Sequence, residues 1–329
     1  MRPTTLVTGA TGLLGAELVS QLLEEGDPRR IVCLVRDQVP ASRFLAEKMG
    51  DRVIVVRGDV RDENLVTRII NEYDVGTIYH LAAQTLVETA LTCPAETLDV
   101  NVRGTWALLE AVRRVPHKVK ATIVASSDKA YGTLSASEYD ETHPLAGEFP
   151  YDVSKSCVDL ISQSYAKTYG LNIAITRCGN FFGPGDLNES RLIPGTILSL
   201  LRNERPVVRS NGKLIRDYIF ISDAAAAYRT LARHVEEKGC KGEAFNFSYG
   251  RKLNVLEIIE TIRRAMGSTL EPVIEDRIKH EIRVQSLSNK KAISVLGWKP
   301  EIGLEEGLER TITWYRQQFS KPAKLKKAA

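Results

Sequence analysis

Thr4-Thr-Leu-Val-Thr-Gly9-Ala-Thr-Gly12-Leu-Leu-Gly15 is the segment from which the architecture of this chain can be inferred. A short apolar run ends in three glycines, and a segment with leucines at helical spacing follows directly. Strand, glycine turn and helix in this order present free backbone N–H groups at a helix N-terminus, which bind an anion such as a dinucleotide pyrophosphate. The stretch therefore predicts a dinucleotide-binding unit. The residues expected to contact the cofactor here are Gly9, Thr11, Gly12, Leu13, Leu14 and Gly15.

The strand pattern repeats along the first half of the chain. Apolar runs at residues 31–35, 53–57, 77–80, 121–125 and 173–177 alternate with segments of helical periodicity. Strands and helices that alternate at this spacing predict an α/β fold with a doubly wound parallel (Rossmann) sheet.

The character of the sequence changes in the second half of the chain. Turn residues become frequent, so we expect residues 1–178 to form the dinucleotide-binding domain. Residues 179–329 are expected to form mainly a smaller, interleaved C-terminal substrate lobe, with returns to the sheet near residues 210–250. Asn211-Gly212, between two short apolar runs, predicts a hairpin turn, and residues 245–248 are a candidate last strand.

The second strand ends in residues that bear on the choice of cofactor. An acidic residue there accepts a hydrogen bond from the ribose of NAD, whereas an arginine accommodates the 2′-phosphate of NADP. Arg36 stands at the deciding position and favours NADP over NAD, although Asp37 takes the acidic role if the register shifts by one residue. Later strand ends add further residues expected to contact the cofactor, namely Asp59, Val60, Leu81, Ala82 and Ala83.

The body of the chain is close to electrically neutral. There are 45 Lys and Arg against 41 Asp and Glu, but four lysines lie in the tail, at positions 321, 324, 326 and 327. A neutral body argues against a nucleic-acid-binding surface, and no apolar stretch reaches membrane-spanning length. The five histidines show no ligand spacing, so we expect no metal site. The N-terminus leads directly into the first strand and leaves no room for a signal peptide, so we expect a cytoplasmic protein.

Tyr151-Asp-Val-Ser-Lys155 carries the candidate chemistry. In a helix Tyr151 and Lys155 lie one turn apart on the same face, and a neighbouring ammonium favours the phenolate and lowers the tyrosine pKa. Ser126-Ser127-Asp128-Lys129 follows the fifth strand, at the carboxyl end where ligands of parallel sheets bind. A Tyr and a Lys four residues apart occur by chance on many helices. It is their combination with the glycine turn that favours a catalytic site.

The combined pattern resembles the short-chain dehydrogenase/reductase superfamily, in which a glycine turn, a hydroxyl at a strand end and a Tyr-x-x-x-Lys pair occur in this order. The length of the chain and three motifs of its second half resemble the extended branch of that superfamily, the nucleotide-sugar epimerases and dehydratases. Those motifs are Gly179-Asn180, Arg216-Asp217-Tyr218 and Leu296-Gly297-Trp298.

The pair Asp128-Lys129 narrows this resemblance. It is most similar to the pair of the CDP-glucose 4,6-dehydratases, whereas other 4,6-dehydratases carry Asp-Glu and epimerases carry small neutral residues. The glycine turn and Arg36 depart from the CDP-glucose group, which leaves CDP, dTDP and GDP as candidate nucleotides.

The resemblance implies an NAD(P)-dependent nucleotide-sugar 4,6-dehydratase whose product is a 4-keto-6-deoxy sugar nucleotide. Tyr151 is expected to take the proton of the sugar C4 hydroxyl, Ser127 to hydrogen-bond the same oxygen, and Lys155 to hold the nicotinamide ribose. Asp128, with a pKa raised by burial, is the expected acid at O6, and Lys129 is the expected base at C5. Residues expected to bind the sugar nucleotide are Gln84, Asn180, Arg191, Arg216 and Arg283.

Other functions on the same fold stay open. A 4-epimerase or a uronate decarboxylase would use the same oxidation without an acid at C6. A non-catalytic dinucleotide-sensing protein would keep the fold without the chemistry. We also expect a homodimer in which helices 101–114 and 152–168 pair across a two-fold axis, since both carry apolar surface.

Overall fold

The computed structural model describes residues 4–133, 136–237, 239–277 and 282–319, so the lysine-rich tail lies outside the described residues. In chain order the strands are β1 (Thr4–Thr8), β2 (Ile31–Val35), β3 (Ile54–Arg57), β4 (Val75–His80), β5 (Ala121–Ala125), β6 (Ile173–Cys178), β7 (Asn180–Phe182), β8 (Val207–Val208), β9 (Ile215–Arg216), β10 (Tyr218–Phe220), β11 (Ala244–Phe247), β12 (Leu253–Asn254) and β13 (Val273–Ile274). The α-helices are α1 (Leu13–Glu25), α2 (Arg43–Ala46), α3 (Glu63–Glu72), α4 (Val87–Thr92), α5 (Pro94–Leu98), α6 (Gly104–Arg114), α7 (Pro150–Tyr169), α8 (Leu192–Leu201), α9 (Ile221–His234), α10 (Val255–Met266), α11 (Lys290–Leu296) and α12 (Leu304–Phe319).

Seven strands form one parallel sheet in the order β3-β2-β1-β4-β5-β6-β11. The strands run outward from β1 on one side and from β4 on the other, so the order reverses between them and leaves a crevice at their carboxyl ends. All five residues of β2 are buried, because helices cover both faces of a parallel sheet, and its sequence is therefore a continuous apolar run. The predicted doubly wound Rossmann sheet is confirmed.

Helices cover both faces of the sheet and build a separate core for the lobe. α1, α9 and α11 share one apolar core with the sheet, and α3, α6 and α7 share the other. Because α9 and β11 come from the second half of the sequence, that half also completes the large sheet. A third core joins α8, α10 and α12 and forms the smaller lobe. Its buried side chains include Phe182, Ile197, Ile262, Leu308 and Ile312.

The predicted hairpin at Asn211-Gly212 is wrong. β8 pairs in parallel with β13 and β9 pairs antiparallel with β12, so the strands on either side of the turn have different partners. Gly212 does form a turn, at φ +78°, but a Cβ there would lie 2.6 Å from Cγ of Leu256, so α10 packs directly against the turn. We expected the chain to return to the large sheet near residues 210–250. Among the described residues one strand of this region, β11, does so, and it lies close to the predicted strand at 245–248.

Two helical segments on one face of the sheet bring the candidate site residues into place. α5 runs into α6 through a π-helical turn, Asp99–Arg103, so the helix predicted at residues 101–114 is the end of a longer helical segment. α7 has Pro150 in its first turn. Proline is tolerated there because the N–H groups of the first turn have no acceptor within the helix. Tyr151 and Lys155 therefore lie near the start of α7, which follows the carboxyl end of β5.

Among the described residues, none of the helices combines the length and the hydrophobicity that a membrane span requires.

Candidate active site

The glycine turn between β1 and α1 lies beside the crevice of the sheet. Gly9 has φ +73°, and a Cβ there would lie 2.8 Å from the backbone N of Ala82, in the loop after β4. Gly15 packs against the turn, where any side chain would collide with the carbonyl of Gly9. Both positions require glycine, so the turn allows two backbones to approach closely at the point where the strand order reverses.

The first turn of α1 fits a dinucleotide pyrophosphate. Its N-cap is Gly12, no side chain caps it, and no acidic residue lies in the first turn. The backbone N–H groups of Leu13 and Leu14 therefore stand at the positive end of the helix dipole without a competing carboxylate. Thr11 lies on the same turn, so the six residues predicted here for the cofactor are adjacent in space.

A buried hydrogen-bond chain fixes the loop after β4. Thr8 Oγ1 accepts the two backbone N–H groups that follow His80, both at 3.1 Å, and lies 3.0 Å from His80 Nδ1. The hydroxyl of Thr105 donates to the carbonyl of Asn101 at 2.7 Å, so it accepts from His80 Nε2 at 3.0 Å. The histidine is thus the neutral Nε2–H tautomer, and burial lowers its pKa to about 3. His80 could not be identified from the sequence, since a single histidine at a strand end is uninformative.

The residues expected at the adenosine ribose lie at the ends of β2 and β3. Arg36 Nε donates to Asp37 at 2.5 Å, and both side chains are exposed. Asp59 accepts from Arg61 at 2.6 Å, and this hydrogen bond lowers the pKa of Asp59. The charge of Arg36 lowers that pKa further, so Arg36 also lies near the end of β3. The two candidate ribose ligands, Arg36 and Asp37, thus form an ion pair with each other. Val60, the residue after Asp59, is buried.

Ser127, Asp128 and Tyr151 form a hydrogen-bonded row after β5. Tyr151 hydrogen-bonds to Ser127, and the hydroxyl of Ser127 donates to Asp128 Oδ1 at 3.0 Å. The other carboxyl oxygen, Asp128 Oδ2, is buried and has no hydrogen-bond partner among the described residues. Burial raises the pKa of Asp128, the direction expected for an acid that keeps its proton near neutral pH.

Burial, rather than the charge of Lys155, dominates the pKa of Tyr151. Burial raises the pKa of Tyr151 above its ordinary value, and the hydrogen bond with Ser127 offsets only part of that rise. Lys155 Nζ lies 6.0 Å from the centroid of the tyrosine ring and donates to the carbonyl of Ala125 at 2.8 Å. Burial lowers the pKa of Lys155 itself to about 8. Desolvation is therefore the largest influence on the pKa of each of these two buried groups.

Lys129 lies near two carboxyls and an amide. Burial raises the pKa of Asp152 to about 6, and the charge of Lys129 opposes this rise, as it also does at Asp128. Lys129 Nζ donates to Gln285 Oε1 at 3.5 Å. Neither Asp152 nor Gln285 was predicted as a site residue. Asp152 could have been predicted because it directly follows Tyr151 in the sequence. Gln285 could not, because it is 156 residues from Lys129.

Two of the predicted substrate arginines lie near the row of Ser127, Asp128 and Tyr151. The charge of Arg216 opposes the rise that burial causes in the pKa of Asp128, and the charge of Arg191 does the same at Tyr151. Arg216 Nη1 donates to a backbone carbonyl of the segment 282–288 at 2.8 Å, and Arg191 Nη1 pairs with the Asp186 carboxylate at 2.8 Å. A guanidinium held in this way can offer its planar fork to a diphosphate.

The other three predicted substrate residues have different surroundings. Asn180, the first residue of β7, donates through Nδ2 to the carbonyl of Asp217 at 3.2 Å. Gln84 Nε2 donates to the carbonyl of Leu86 at 3.0 Å, within its own loop. Arg283 is exposed. The side chain of Gln84 is thus engaged by the protein, and that of Arg283 faces solvent.

Asp217 is a buried carboxyl that the sequence analysis named only as part of a motif. Its Oδ1 accepts the N–H of Tyr218 at 2.9 Å, and its Oδ2 accepts the N–H of Leu287 at 3.0 Å. Burial, and to a smaller extent the charge of Asp128, raise its pKa to about 7 against these hydrogen bonds. Asp217 joins β10 to the segment 282–288, which carries Gln285.

The sequence is similar to known dehydratases over nearly its whole length. Residues 6–311 match the family model for GDP-mannose 4,6-dehydratase. The chain is 32% identical to the dTDP-glucose 4,6-dehydratase of Streptomyces antibioticus, an alignment that covers 98% of this chain and 95% of that protein. It is 33% identical to the dTDP-glucose 4,6-dehydratase of Mycolicibacterium smegmatis, with 96% and 94% covered.

The fold is similar to solved structures of the same kind. The dTDP-glucose 4,6-dehydratase of Bacillus anthracis in complex with NAD has a TM-score of 0.86 and 26% identity, and the match covers 97% of this chain and 98% of that one. The UDP-glucose 4-epimerase of Thermotoga maritima with UDP-glucose gives a TM-score of 0.86 and 26% identity, with 96% and 99% covered. Because the family model spans most of the sequence and the relatives exceed 30% identity, the resemblance is confirmed, and this chain belongs to the GDP-mannose 4,6-dehydratase family, among the extended short-chain dehydrogenase/reductases.

Proposed function

We propose that this protein is an NAD(P)-dependent nucleotide-sugar 4,6-dehydratase, a lyase that removes one water from an NDP-hexose. The family and its dehydratase relatives support this reaction class. The observation that carries it is Asp128, a buried carboxyl beside Ser127 and Tyr151 with one oxygen unpartnered within the described part of the chain. A carboxyl whose pKa is raised by burial is suited to protonate a leaving hydroxyl, a step that epimerisation does not need.

The glycine turn and the first turn of α1 would hold the dinucleotide. In their solved structures, the dTDP-glucose 4,6-dehydratases of Bacillus anthracis and Streptomyces venezuelae have NAD bound. When bound, the nicotinamide supplies the acceptor and later the donor of one hydride. Lys155 would hold the nicotinamide ribose, because its ammonium has three donors and the carbonyl of Ala125 takes one of them.

Oxidation at the sugar C4 needs a base for the hydroxyl proton, and Tyr151 is our candidate. Its hydrogen bond to Ser127 places two hydroxyl groups where they can share one substrate oxygen. Because burial raises the pKa of Tyr151, the site has to favour its phenolate by charge. Arg191 lowers that pKa, so this arginine would support the base as well as bind the substrate.

Elimination across C5 and C6 needs a base and an acid on adjacent carbons. Lys129, as the neutral amine, would take the proton from C5, which the C4 ketone has made acidic, and Asp128 would give its proton to O6 so that water leaves. The two residues are neighbours in sequence, so one strand end delivers both groups. Asp152 and Gln285 lie near the lysine and would hold its amino group in place.

Binding of the nucleotide part would fall to the two arginines near the reactive residues. We assign the diphosphate to Arg191 and Arg216, since a planar guanidinium offers two parallel hydrogen bonds to such a group. Asn180 would contact the sugar, because the peptide it bonds belongs to Asp217, next to Arg216. Gln84 and Arg283 stay predictions from the sequence.

The direct test is a panel of sugar nucleotides. The purified protein is incubated with the glucose and mannose derivatives of dTDP, CDP, GDP and UDP. The masses of the products are measured by mass spectrometry. A dehydratase gives a product lighter by one water. The panel includes dTDP-glucose because the relatives are named for it, and CDP-glucose because the Asp128-Lys129 pair resembles that group. Products of unchanged mass with an inverted C4 would instead identify an epimerase.

Asp128→Asn separates a dehydratase from an epimerase on this fold. A dehydratase should lose roughly a hundredfold or more in water elimination while C4 oxidation continues, so reduced nicotinamide should accumulate. An epimerase should keep nearly full turnover. Asp51→Asn, the same change at an exposed position, is the matched control and should behave like the wild type. The absorbance of reduced nicotinamide and the product mass are the two measurements.

We propose NADP as the preferred dinucleotide because Arg36 follows β2. Its guanidinium already pairs with Asp37, so a 2′-phosphate would compete with that carboxylate. Arg36→Ala should weaken the binding of NADP about tenfold and leave that of NAD nearly unchanged. Titration of both cofactors against both proteins measures this. Equal binding of NAD by the two proteins, with no measurable binding of NADP, would assign NAD instead.

We also propose a homodimer formed through α6 and α7. Leu91 of α4, Leu98 of α5, Trp106 of α6 and Leu160 of α7 are exposed large apolar side chains, and α7 contacts the other three helices. Leu91 and Leu160 are 57% and 55% exposed. Exposed apolar side chains on neighbouring helices are typical of an interface. Light scattering should give twice the chain mass, and Leu160→Glu should give a monomer. Val295→Glu, on the exposed side of α11, is the control and should stay dimeric.

A further inference from the structure

The segment 282–288 is fixed to three other parts of the chain beside the reactive residues. The N–H of Gln285 donates to the carbonyl of Ile215 at 3.1 Å, and the N–H of Leu287 donates to the Asp217 carboxylate at 3.0 Å. On its other side the segment exchanges two backbone bonds of 2.8 Å with Tyr139. A backbone held at this many points gives the Gln285 side chain little freedom to move.

The amide of Gln285 uses only one of its two ends. The side chain is 1% exposed, and its Oε1 accepts from Lys129 Nζ at 3.5 Å. The oxygen is the atom that faces Lys129, where it accepts from an N–H of the lysine, and this contact sets the orientation of the amide. Nε2 is then a buried donor, and it has no hydrogen-bond partner among residues 4–133, 136–237, 239–277 and 282–319.

Buried donors without a partner are rare, because leaving one unpaired is destabilising. Here a second unpartnered atom, the carboxyl oxygen Asp128 Oδ2, belongs to the residue next to Lys129. An amide donor and a carboxyl oxygen that both lie near one lysine match the hydroxyl groups of a sugar, each of which both donates and accepts. A purely structural amide would pair both of its ends.

We infer that Gln285 is a further sugar-binding residue of this enzyme. Its Nε2 donates to a hydroxyl oxygen of the hexose, while its Oε1 holds Lys129 in place. The inference rests on the proposed function and extends it from the nucleotide to the sugar. Since a site built to donate to a hydroxyl discriminates against sugars that lack it, Gln285 also contributes to the choice of hexose.

Two variants separate a contact with the sugar from an effect on Lys129. Gln285→Met removes both hydrogen-bonding ends at similar volume, whereas Gln285→Glu keeps an acceptor for Lys129 and removes only the donor. Gln317→Met makes the first change at an exposed position of α12 and is the matched control. All are made in a Tyr151→Phe background so that bound sugar nucleotide is not converted during the measurement.

The measurement is calorimetric titration with the NDP-glucose that the wild type converts, or with dTDP-glucose if none is converted, and with the matching NDP. Both Gln285 variants should bind the NDP-glucose roughly 5- to 20-fold more weakly, with affinity for the NDP unchanged within about twofold. The control should match the background protein for both ligands.

Three results would overturn the inference. Unchanged binding of the NDP-glucose by both variants would mean that no contact exists. Full affinity in Gln285→Glu alone would mean that the residue acts only through Lys129. An equal loss for NDP-glucose and NDP would indicate general damage to the lobe. Absence of any water loss in the panel would refute the dehydratase itself, and the titration would still decide whether Gln285 contacts the sugar.

Discussion

Two buried polar clusters near the end of β5 are built in opposite ways. The structural cluster consists of Tyr131, Asp159, Arg177 and Asn246. Arg177 pairs with both carboxylate oxygens of Asp159, at 2.7 and 3.0 Å, and donates a third bond to the Tyr131 hydroxyl at 2.9 Å. That hydroxyl donates in turn to Asn246 at 2.8 Å. The carboxylate and the phenol of this cluster are therefore satisfied from within the protein.

The reactive cluster consists of Ser127, Asp128, Lys129, Tyr151 and Gln285. It also contains a tyrosine, a carboxyl, a cation and an amide, yet Asp128 Oδ2 and Gln285 Nε2 lack partners within the described ranges. These two clusters therefore differ in their unmade hydrogen bonds and not in the types of residue they contain. Changes in the structural cluster should reduce stability, and changes in the reactive cluster should reduce turnover.

Tyr151→Phe should have the largest effect and should confine it to turnover. Loss of the base should lower the rate of product formation by roughly a thousandfold or more. The free energy of unfolding should change by less than about 1 kcal/mol, since a single hydrogen bond with Ser127 is removed. Product mass over time and a denaturant titration check the two halves. A variant that keeps more than a tenth of wild-type turnover would remove Tyr151 from the reactive cluster.

Asp159→Asn should show the opposite balance. Removing one charge of a buried pair leaves Arg177 uncompensated, which should cost about 3–5 kcal/mol of unfolding free energy. Turnover by the folded fraction should fall less than about tenfold. The double variant Asp159→Leu with Arg177→Met removes both charges and should recover most of the loss. Wild-type stability in the single variant would contradict the structural role given to this pair.

Asp152→Asn should change how the free energy of unfolding depends on pH. The pKa of Asp152 is raised to about 6 in the fold from 3.8, so its contribution to stability is full below pH 3.8 and is lost as the pH rises through about 6. The asparagine variant avoids this loss and should be more stable than the wild type by up to about 3 kcal/mol above pH 7. Denaturant titrations between about pH 4 and pH 8 should show the difference growing with pH. A constant difference would mean that Asp152 does not titrate differently on unfolding.

Tyr131→Phe should give the smallest effect and is the counterpart of Tyr151→Phe. The same atom is removed, but here it leaves an N–H of Arg177 and the oxygen of Asn246 unpaired. The variant should lose about 1–3 kcal/mol of stability and keep turnover per folded molecule within about threefold. Thermal unfolding and initial rates measured on one preparation decide this. Loss of turnover at full stability would place Tyr131 in the reactive cluster instead.

The large sheet could be predicted because each of its signals is local. Thr4–Gly15 contains strand, turn and helix start in adjacent residues, and a fully buried strand such as β2 has to be a continuous apolar run. The hairpin at Asn211-Gly212 was predicted by the same local reasoning and was wrong. There the pairing depends on β12 and β13, which lie far along the chain.

The sequence predicted most residues of the candidate site, but it did not predict their pKa values. Spacing alone put Tyr151 and Lys155 on one helix face, but it says nothing about desolvation, and desolvation is what raises the pKa of Tyr151. Gln285 could not be found from sequence, since its place depends on how the segment 282–288 packs against Ile215 and Tyr139. Asp217 has the same explanation, because its partner Leu287 is 70 residues away.

The late arrival of β11 in the large sheet has a consequence for how this chain is made. The partner of the β6 edge, Ala244–Phe247, is synthesised some 70 residues after that strand, and α9, which covers part of one face, also comes from the second half. A nascent chain that ends at residue 178 would expose a bare strand edge and an uncovered apolar face, both of which invite aggregation. We therefore expect a fragment cut there to be insoluble, and the growing polypeptide to need shelter from chaperones until its last third has left the ribosome.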